Sequence, residues 1–247
     1  MKKMHNEKDY LFSKIKDKIN TYQKTNLIST TNFLEPSQIL SVKSLLKEVP
    51  YIIFGGVDGA ERNIIILGNA DIEDCYNYVS ILEIESNYNL THRNILGSIL
   101  GLGIKREIIG DILINKNKAN IFIIPEMQNY LIQNLDKIGK DKIKIRVISK
   151  DEIITPEENY SDITTTIASN RVDAIISSSF GISRELSAKL IQGDKVKLNY
   201  IELTNTSKKV NIDDLISVRG YGRIILKEIL GETRKERIKV ILRVYKS

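Results

Sequence analysis

The chain has 247 residues, 42% of them hydrophobic, and a formal net charge of +6. This length and composition fit one large domain or two to three small ones, each with its own core. The single cysteine, Cys75, excludes an intramolecular disulfide and zinc sites built on several cysteines. The start, MKKMHNEKDYLF, lacks the apolar segment of a secretory signal, and no apolar run approaches the roughly 18 residues that cross a bilayer. A soluble, cytoplasmic protein without membrane contact is expected.

The charge is uneven. Residues 165–247 carry 16 Lys/Arg and 9 Asp/Glu, whereas residues 1–164 carry 21 and 22. All of the excess positive charge therefore sits in the C-terminal third. That asymmetry suggests a polyanion-binding module on a near-neutral body; a solvated basic surface is the plain alternative.

Residues 6–25 place Tyr10, Leu11, Ile15 and Ile19 at helical spacing, and TNFLEPSQILSVKSLLKEV (31–49) reads as a second helix with Pro36 near its start. Residues 1–50 are thus expected to form an N-terminal helical region. YIIFGGV (51–57) and RNIIILG (62–68) flank DGAE and read as a hairpin. YVSILEIES (78–86) is a strand, and THRNILGSILGLG (91–103) a helix with Thr91 as N-cap and Gly103 as stop. DILIN and NIFIIP are strands, EMQNYLIQNLDKIG (126–139) a helix, and KIKIRVIS (142–149) a half-exposed strand.

From 78 to 149 the order is β-α-β-β-α-β, that of the ferredoxin-like or RRM-like split βαβ unit. An RRM-like domain over 51–150 is therefore expected. An RRM stacks bases on exposed sheet aromatics. Here the strands offer only Phe122 and Tyr78, so base stacking on this sheet is not expected. The acidic stretch DEIITPEENYSD marks a linker over 151–164.

The basic module follows over 165–247. Val172, Ile175, Ile176 and Phe180 form a helix stripe within 166–181. SRELSAKLIQ (183–192) is a second helix, with Ser183 as cap and Gly193 as a left-handed stop. KVKLNY alternates, with Lys195, Lys197 and Asn199 on one side and Val196, Leu198 and Tyr200 on the other. The cations of helix and strand could merge into one positive surface.

These residues resemble the RNA-binding domain named after ribosomal protein S-four, or αL motif. The matching positions are Arg171, Asp173, Ser183, Arg184, Ala188, Ile191, Gly193, Val196, Asn199 and Asp214. Tyr200 stands where that family usually has glycine, and Asp213 where glycine often precedes the Asp. The fuller set FLEPSQ, GGVDGAERNI, LTHRNILGSILGLGIKREIIGDI and VRGYGR resembles the bacterial YlmH family from about residue 30 to 245. The resemblance implies an α+β chain joining N-terminal helices and an RRM-like body to a C-terminal S-four domain. It also implies a non-catalytic, ribosome-associated factor that binds rRNA and tRNA on the large subunit, in quality control of obstructed peptidyl-tRNA complexes.

The expected RNA-facing residues are Arg171, Ser183, Arg184, Lys189, Gln192, Lys195, Lys197, Asn199, Arg219 and Arg223. Secondary contacts could come from Arg62, His92, Arg93, Lys105 and Arg106. No cofactor, metal or catalytic residue is expected, and nothing in the heptad pattern argues against a monomer. An RNA-modifying enzyme or its accessory subunit, such as a pseudouridine synthase docked by its S-four domain, is the alternative. Arg171-Val172-Asp173 superficially resembles the Arg-Leu-Asp context of such an enzyme but falls on the S-four helix. A third reading is a protein-interaction adaptor that uses the RRM-like body.

Overall fold

The computed structural model describes residues 2–156, 160–234 and 236–246, with backbone alone for 2–8 and 246. The chain divides into two compact units, Met1–Glu157 and Glu158–Ser247. Among the described residues no helix is long and apolar enough to cross a membrane.

In the first unit, α1 (Lys2–Thr25) buries Ile15, Ile19 and Tyr22 on one stripe, while Tyr10 stays 62% exposed. α2 (Pro36–Val42) begins at a proline behind a capping box, in which Glu35 and Gln38 answer each other's backbone N–H groups. β1 (Ser29–Thr30), β2 (Tyr51–Phe54) and β3 (Ile64–Leu67) form an antiparallel sheet in the order β1-β3-β2. The hairpin 51–67, expected to start the RRM-like domain, thus belongs to a sheet of its own. Both faces of β3 are buried. Ile65 and Leu67 join the core of α1 and α2, and Ile64 and Ile66 turn the other way. That is why the run reads as continuously apolar rather than alternating.

After α3 (Ile72–Cys75) comes the larger sheet. It is built from β4 (Ser80–Ser86), β5 (Ile109–Asn115), β6 (Lys118–Ile123), β7 (Lys137–Ile138) and β8 (Asp141–Val147). Its order is β5-β6-β4-β8-β7, antiparallel throughout, as the split βαβ arrangement requires. α4 (His92–Gly101) and α5 (Gln128–Asn134) cover one face through Ile95, Ile99 and Leu131 on Leu82 and Ile84. α5 stops five residues short of the expectation. Gly139, at φ 62°, makes the β7–β8 turn that claims those residues.

The opposite face is not open. Ile81, Phe122 and Ile148 lie in one cluster with Phe33, Phe54, Ile64 and Ile66 of the N-terminal elements. Phe122 is fully buried. The approach is close enough to demand glycine. A Cβ at Gly56, whose φ is +89°, would stand 2.4 Å from Phe122 Cδ1.

In the second unit a six-stranded sheet runs β11-β10-β12-β13-β14-β9. Its strands are β9 (Tyr160–Ile167), β10 (Val196–Leu198), β11 (Ile201–Glu202), β12 (Leu215–Val218), β13 (Gly222–Glu232) and β14 (Ile238–Lys246). α6 (Val172–Phe180) and α7 (Arg184–Gln192) share one core with the inward residues Val196, Ile216, Ile224 and Leu242. Part of the stretch read as linker is strand β9, which pairs with β14 from Tyr160↔Tyr245 to Ile167↔Ile238. This pairing also delays α6, expected from 166, until Val172. Among the acidic residues that suggested a linker, Glu152 binds Arg146 at 2.7 Å and Asp162 binds Arg243 at 2.9 Å.

Gly56→Ala should destabilise the first unit by about 1–3 kcal/mol through overpacking and backbone strain. Thermal unfolding checks this; an unchanged midpoint would mean that the two sheets are not held so close.

Candidate nucleic-acid interface

The second unit gathers its expected residues into two groups. The first is centred on Asp173, whose side chain is 7% exposed near the start of α6. Arg171 donates from Nε and Nη2 to both its oxygens at 3.1 Å, and Arg184 donates from Nη2 to Oδ2 at 2.7 Å. Burial pushes this carboxyl up, but the hydrogen bonds and charges of the two arginines outweigh it and hold it below its ordinary value. Both guanidiniums keep part of their surface in solvent, at 37% and 52% exposure. The buried carboxylate therefore fixes two arginines at the surface.

Lys208 and Lys209 come to the same place, a pair that the sequence reading passed over. The Lys208 carbonyl accepts the Val172 N–H at 2.9 Å, and Lys209 bridges Arg171. Both are exposed. The dipeptide in TSKKV was the available signal.

The second group lies on the sheet. Val196 and Leu198 point into the core beneath the helices, so Lys197 points to the other side. The ladder sets Lys197 opposite Ser217, Ser217 opposite Arg223, and Arg223 opposite Tyr245. The Arg219 N–H donates to the Lys195 carbonyl at 2.9 Å, adding these two residues at the end of the same strands. Lys195, Lys197 and Arg219 are exposed and make no ion pair among the described residues. Tyr245 packs against Tyr160 at 5.5 Å, and the Arg243 guanidinium sits 3.9 Å over the Tyr160 ring. Tyr160, Arg243 and Tyr245 extend the row with aromatic surface. Tyr160 was missed because β9 was read as linker, and without it nothing marked the ring contacts of Arg243 and Tyr245.

The helix and strand cations therefore do not merge as expected. α7 packs on the inward face of the sheet, whereas Lys197 faces outward. Lys189 is exposed on α7 and paired with Glu185 at 2.7 Å, and Gln192 is exposed at its end.

Two expected contacts are structural here. Ser183 Oγ caps α7 by accepting the Leu186 N–H at 3.1 Å. Asn199, at φ 48°, donates from Nδ2 to Asp214 at 2.7 Å and accepts the Leu215 N–H at 2.9 Å. Its side chain ties the turn rather than facing outward. Tyr200 and Asp213 have φ of 68° and 64°, so both sites where glycine is usual do take left-handed backbone. Gly193 does not; its φ is −93°, and Asp194 takes the left-handed step at 55°.

In the first unit, Arg62 is buried and holds other segments together. Its guanidinium donates to the carbonyls of Ile109, Phe33 and Arg106 and to Glu35, at 2.9 to 3.3 Å. Arg106 donates from Nη1 to the Ile109 carbonyl at 2.8 Å and to that of Gly110 at 3.3 Å. Burial, and after it the nearby Arg62, brings the Arg106 side chain down to about 10. These two arginines are framework as well as charge. Arg93 and Lys105 are exposed, and His92 is exposed with an interaction of its own. Cys75 is fully buried; burial and the neighbouring Asp74 push its thiol up, away from the reactive thiolate. Among the described residues no group of three or more His, Cys, Asp or Glu is placed to hold a metal ion.

Residues 77–152, the five-stranded sheet with its helices, match the family model described as "Putative RNA-binding domain in YlmH". The resemblance to the YlmH family is borne out. Beyond that segment, the chain is 28% identical over 217 residues to "Ribosome-associated protein quality control protein P2" of Bacillus subtilis (strain 168), covering 85% of this chain and 84% of that one. The fold is similar to that of "Cell division protein ylmH from Streptococcus pneumoniae", with a TM-score of 0.54 and 24% identity. That likeness covers 60% of this chain and 95% of the other. The YlmH-like segment 77–152 is the one whose outer sheet face is covered, so its name does not describe base stacking on that face.

Asp173→Asn should loosen the second unit, since hydrogen bonds to charged groups contribute about 1.5–3 kcal/mol each. The wild-type carboxyl titrates lower folded than unfolded, so its contribution is complete above its ordinary value of 3.8 and fades as the pH falls below it. Hydrogen exchange of residues 172–180 at pH 7 and in acid checks both points: the variant should exchange faster at pH 7 and lose less on acidification.

Proposed function

We propose that this chain is a non-catalytic RNA-binding protein of the cytoplasm that associates with the ribosome. Its second unit contacts rRNA and tRNA on the large subunit, in quality control of obstructed peptidyl-tRNA complexes. The observation that carries this reading is the set Lys195, Lys197 and Arg219, exposed and without ion-pair partners among the described residues, on the unit that holds most of the excess positive charge. Unpaired cations of this kind neutralise phosphates and release counterions, which supplies affinity without reading bases. The Arg171–Asp173–Arg184 cluster adds two positioned guanidiniums suited to phosphate. The relatives' names support the ribosomal setting.

Nothing in this reading asks for a reacting group. The Asp173 carboxylate, which an isomerase would need free, is buried and held by two arginines.

Arg184→Glu is a poor probe of binding, because it sets a second carboxylate beside buried Asp173. Lys195→Glu, Lys197→Glu and Arg219→Glu together leave that cluster alone. Wild-type protein should co-sediment with large subunits, and log affinity should fall linearly with log salt. The triple variant should bind more weakly at every salt concentration and lose about one unit of slope per phosphate contact removed. Wild-type slope and affinity in the variant would sink the assignment. A methylated or isomerised base in rRNA incubated with the purified protein would overturn the non-catalytic reading.

A further inference from the structure

A cleft of about 770 Å³ opens in the first unit, and all of its lining residues belong to that unit. It lies between α1, the segment 30–35 and residues 105–107. Its size is that of a pocket for a small organic ligand. Its apolar lining comes from Leu11, Ile15, Phe33 and Leu34. Around this converge five cations, Lys14, Lys18, Arg62, Lys105 and Arg106, against three acids, Asp17, Glu35 and Glu107.

The cations are only partly answered. Arg62 is spoken for by Glu35 and by backbone carbonyls. Both bonds of Arg106 use Nη1, which leaves Nε and Nη2 for another acceptor. Lys14, Lys18 and Lys105 make no ion pair among the described residues. Lys18 is half-buried, and burial, with Lys14 beside it, pulls its ammonium below the ordinary value. Burial, with Arg62 nearby, does the same to Arg106. Lys14 is instead held above its ordinary value by the Tyr10 side chain and, further, by Glu107. The like-charge strain therefore falls on Lys18 and Arg106, and an anion relieves it. At the mouth, Tyr10 offers an exposed ring, with the Lys14 ammonium 4.7 Å from its centroid. An apolar wall, an exposed ring and convergent cations suit a ligand with a flat ring at one end and phosphate at the other.

The geometry points to this cleft as a binding site for a phosphorylated ligand of nucleotide size, with its phosphate on Lys14, Lys18, Lys105 and Arg106. The same chemistry is offered by a free nucleotide and by the phosphorylated end of an RNA strand. None of its residues belongs to the surface proposed for the second unit, and it does not depend on that surface.

Calorimetric titration of the full-length protein with GDP, guanosine and a 5′-phosphorylated trinucleotide tests the inference. GDP or the trinucleotide should bind saturably, and guanosine at least tenfold more weakly. Preference for GDP assigns the site to free nucleotide, and preference for the trinucleotide to an RNA end. Lys14→Ala, Lys18→Ala and Lys105→Ala together should weaken binding at least tenfold. Should the triple alanine variant unfold, exposed Lys105→Glu alone serves, with a loss of severalfold expected. No saturable binding by either phosphorylated probe would overturn the proposal. So would equal binding of guanosine or full affinity in the cleft variants.

Discussion

The contact between Phe122 and the N-terminal sheet constrains the first unit most. Gly56 lies where any side chain would collide with that ring, and Gly110 is hemmed between Phe33 and Phe122. Two sheets that close share one core, so the five-stranded sheet has helices on one side and strands on the other. The face on which a split βαβ fold would display aromatics to RNA is used up by folding. Arg62 fastens the arrangement from the side, because its buried guanidinium would be costly without the carbonyls and the carboxylate around it.

The second unit meets the opposite constraint. Its helices cover only one face of the sheet, so every second residue on the strands is left to solvent. Among the cations there, Arg243 is answered by Asp162 and Lys227 by Asp213, whereas Lys197 makes no ion pair among the described residues. On the helix side the chain instead buries one carboxylate under two arginines. That arrangement orders their side chains before any partner arrives, which lowers the entropy lost on binding. The two basic groups differ in kind: one is preorganised around Asp173, while in the other Lys195, Lys197 and Arg219 are exposed and make no ion pair among the described residues.

Local signals in the sequence were read well where one residue decides the outcome. Thr91 and Ser183 cap their helices through their own hydroxyls, and the alternation of KVKLNY is the alternation of β10. Signals that depend on distant partners were not legible. Arg62 looks like any turn residue until β5 and the segment 33–35 fold around it. Asn199 looks like an outward polar residue because its partners, Asp214 and Leu215, lie about fifteen positions away. Strand β9 was hidden because acidic composition outweighed the period of Ile163, Thr165 and Ile167, and only β14 gives that period something to pair with. The separation of helix and strand cations was likewise invisible, since no one-dimensional pattern says which face of a sheet a helix will cover.

β9 begins ahead of the segment that resembles an S-four domain, yet it supplies the last strand of that domain's sheet. Cutting the chain at the motif's own boundary would strip β14 of its neighbour along eight paired positions. A long strand with a bare edge and alternating valine, isoleucine and leucine is a template for other chains. The residues before the motif thus act as a sheath against self-association, a duty that leaves no trace in the RNA-binding signature itself.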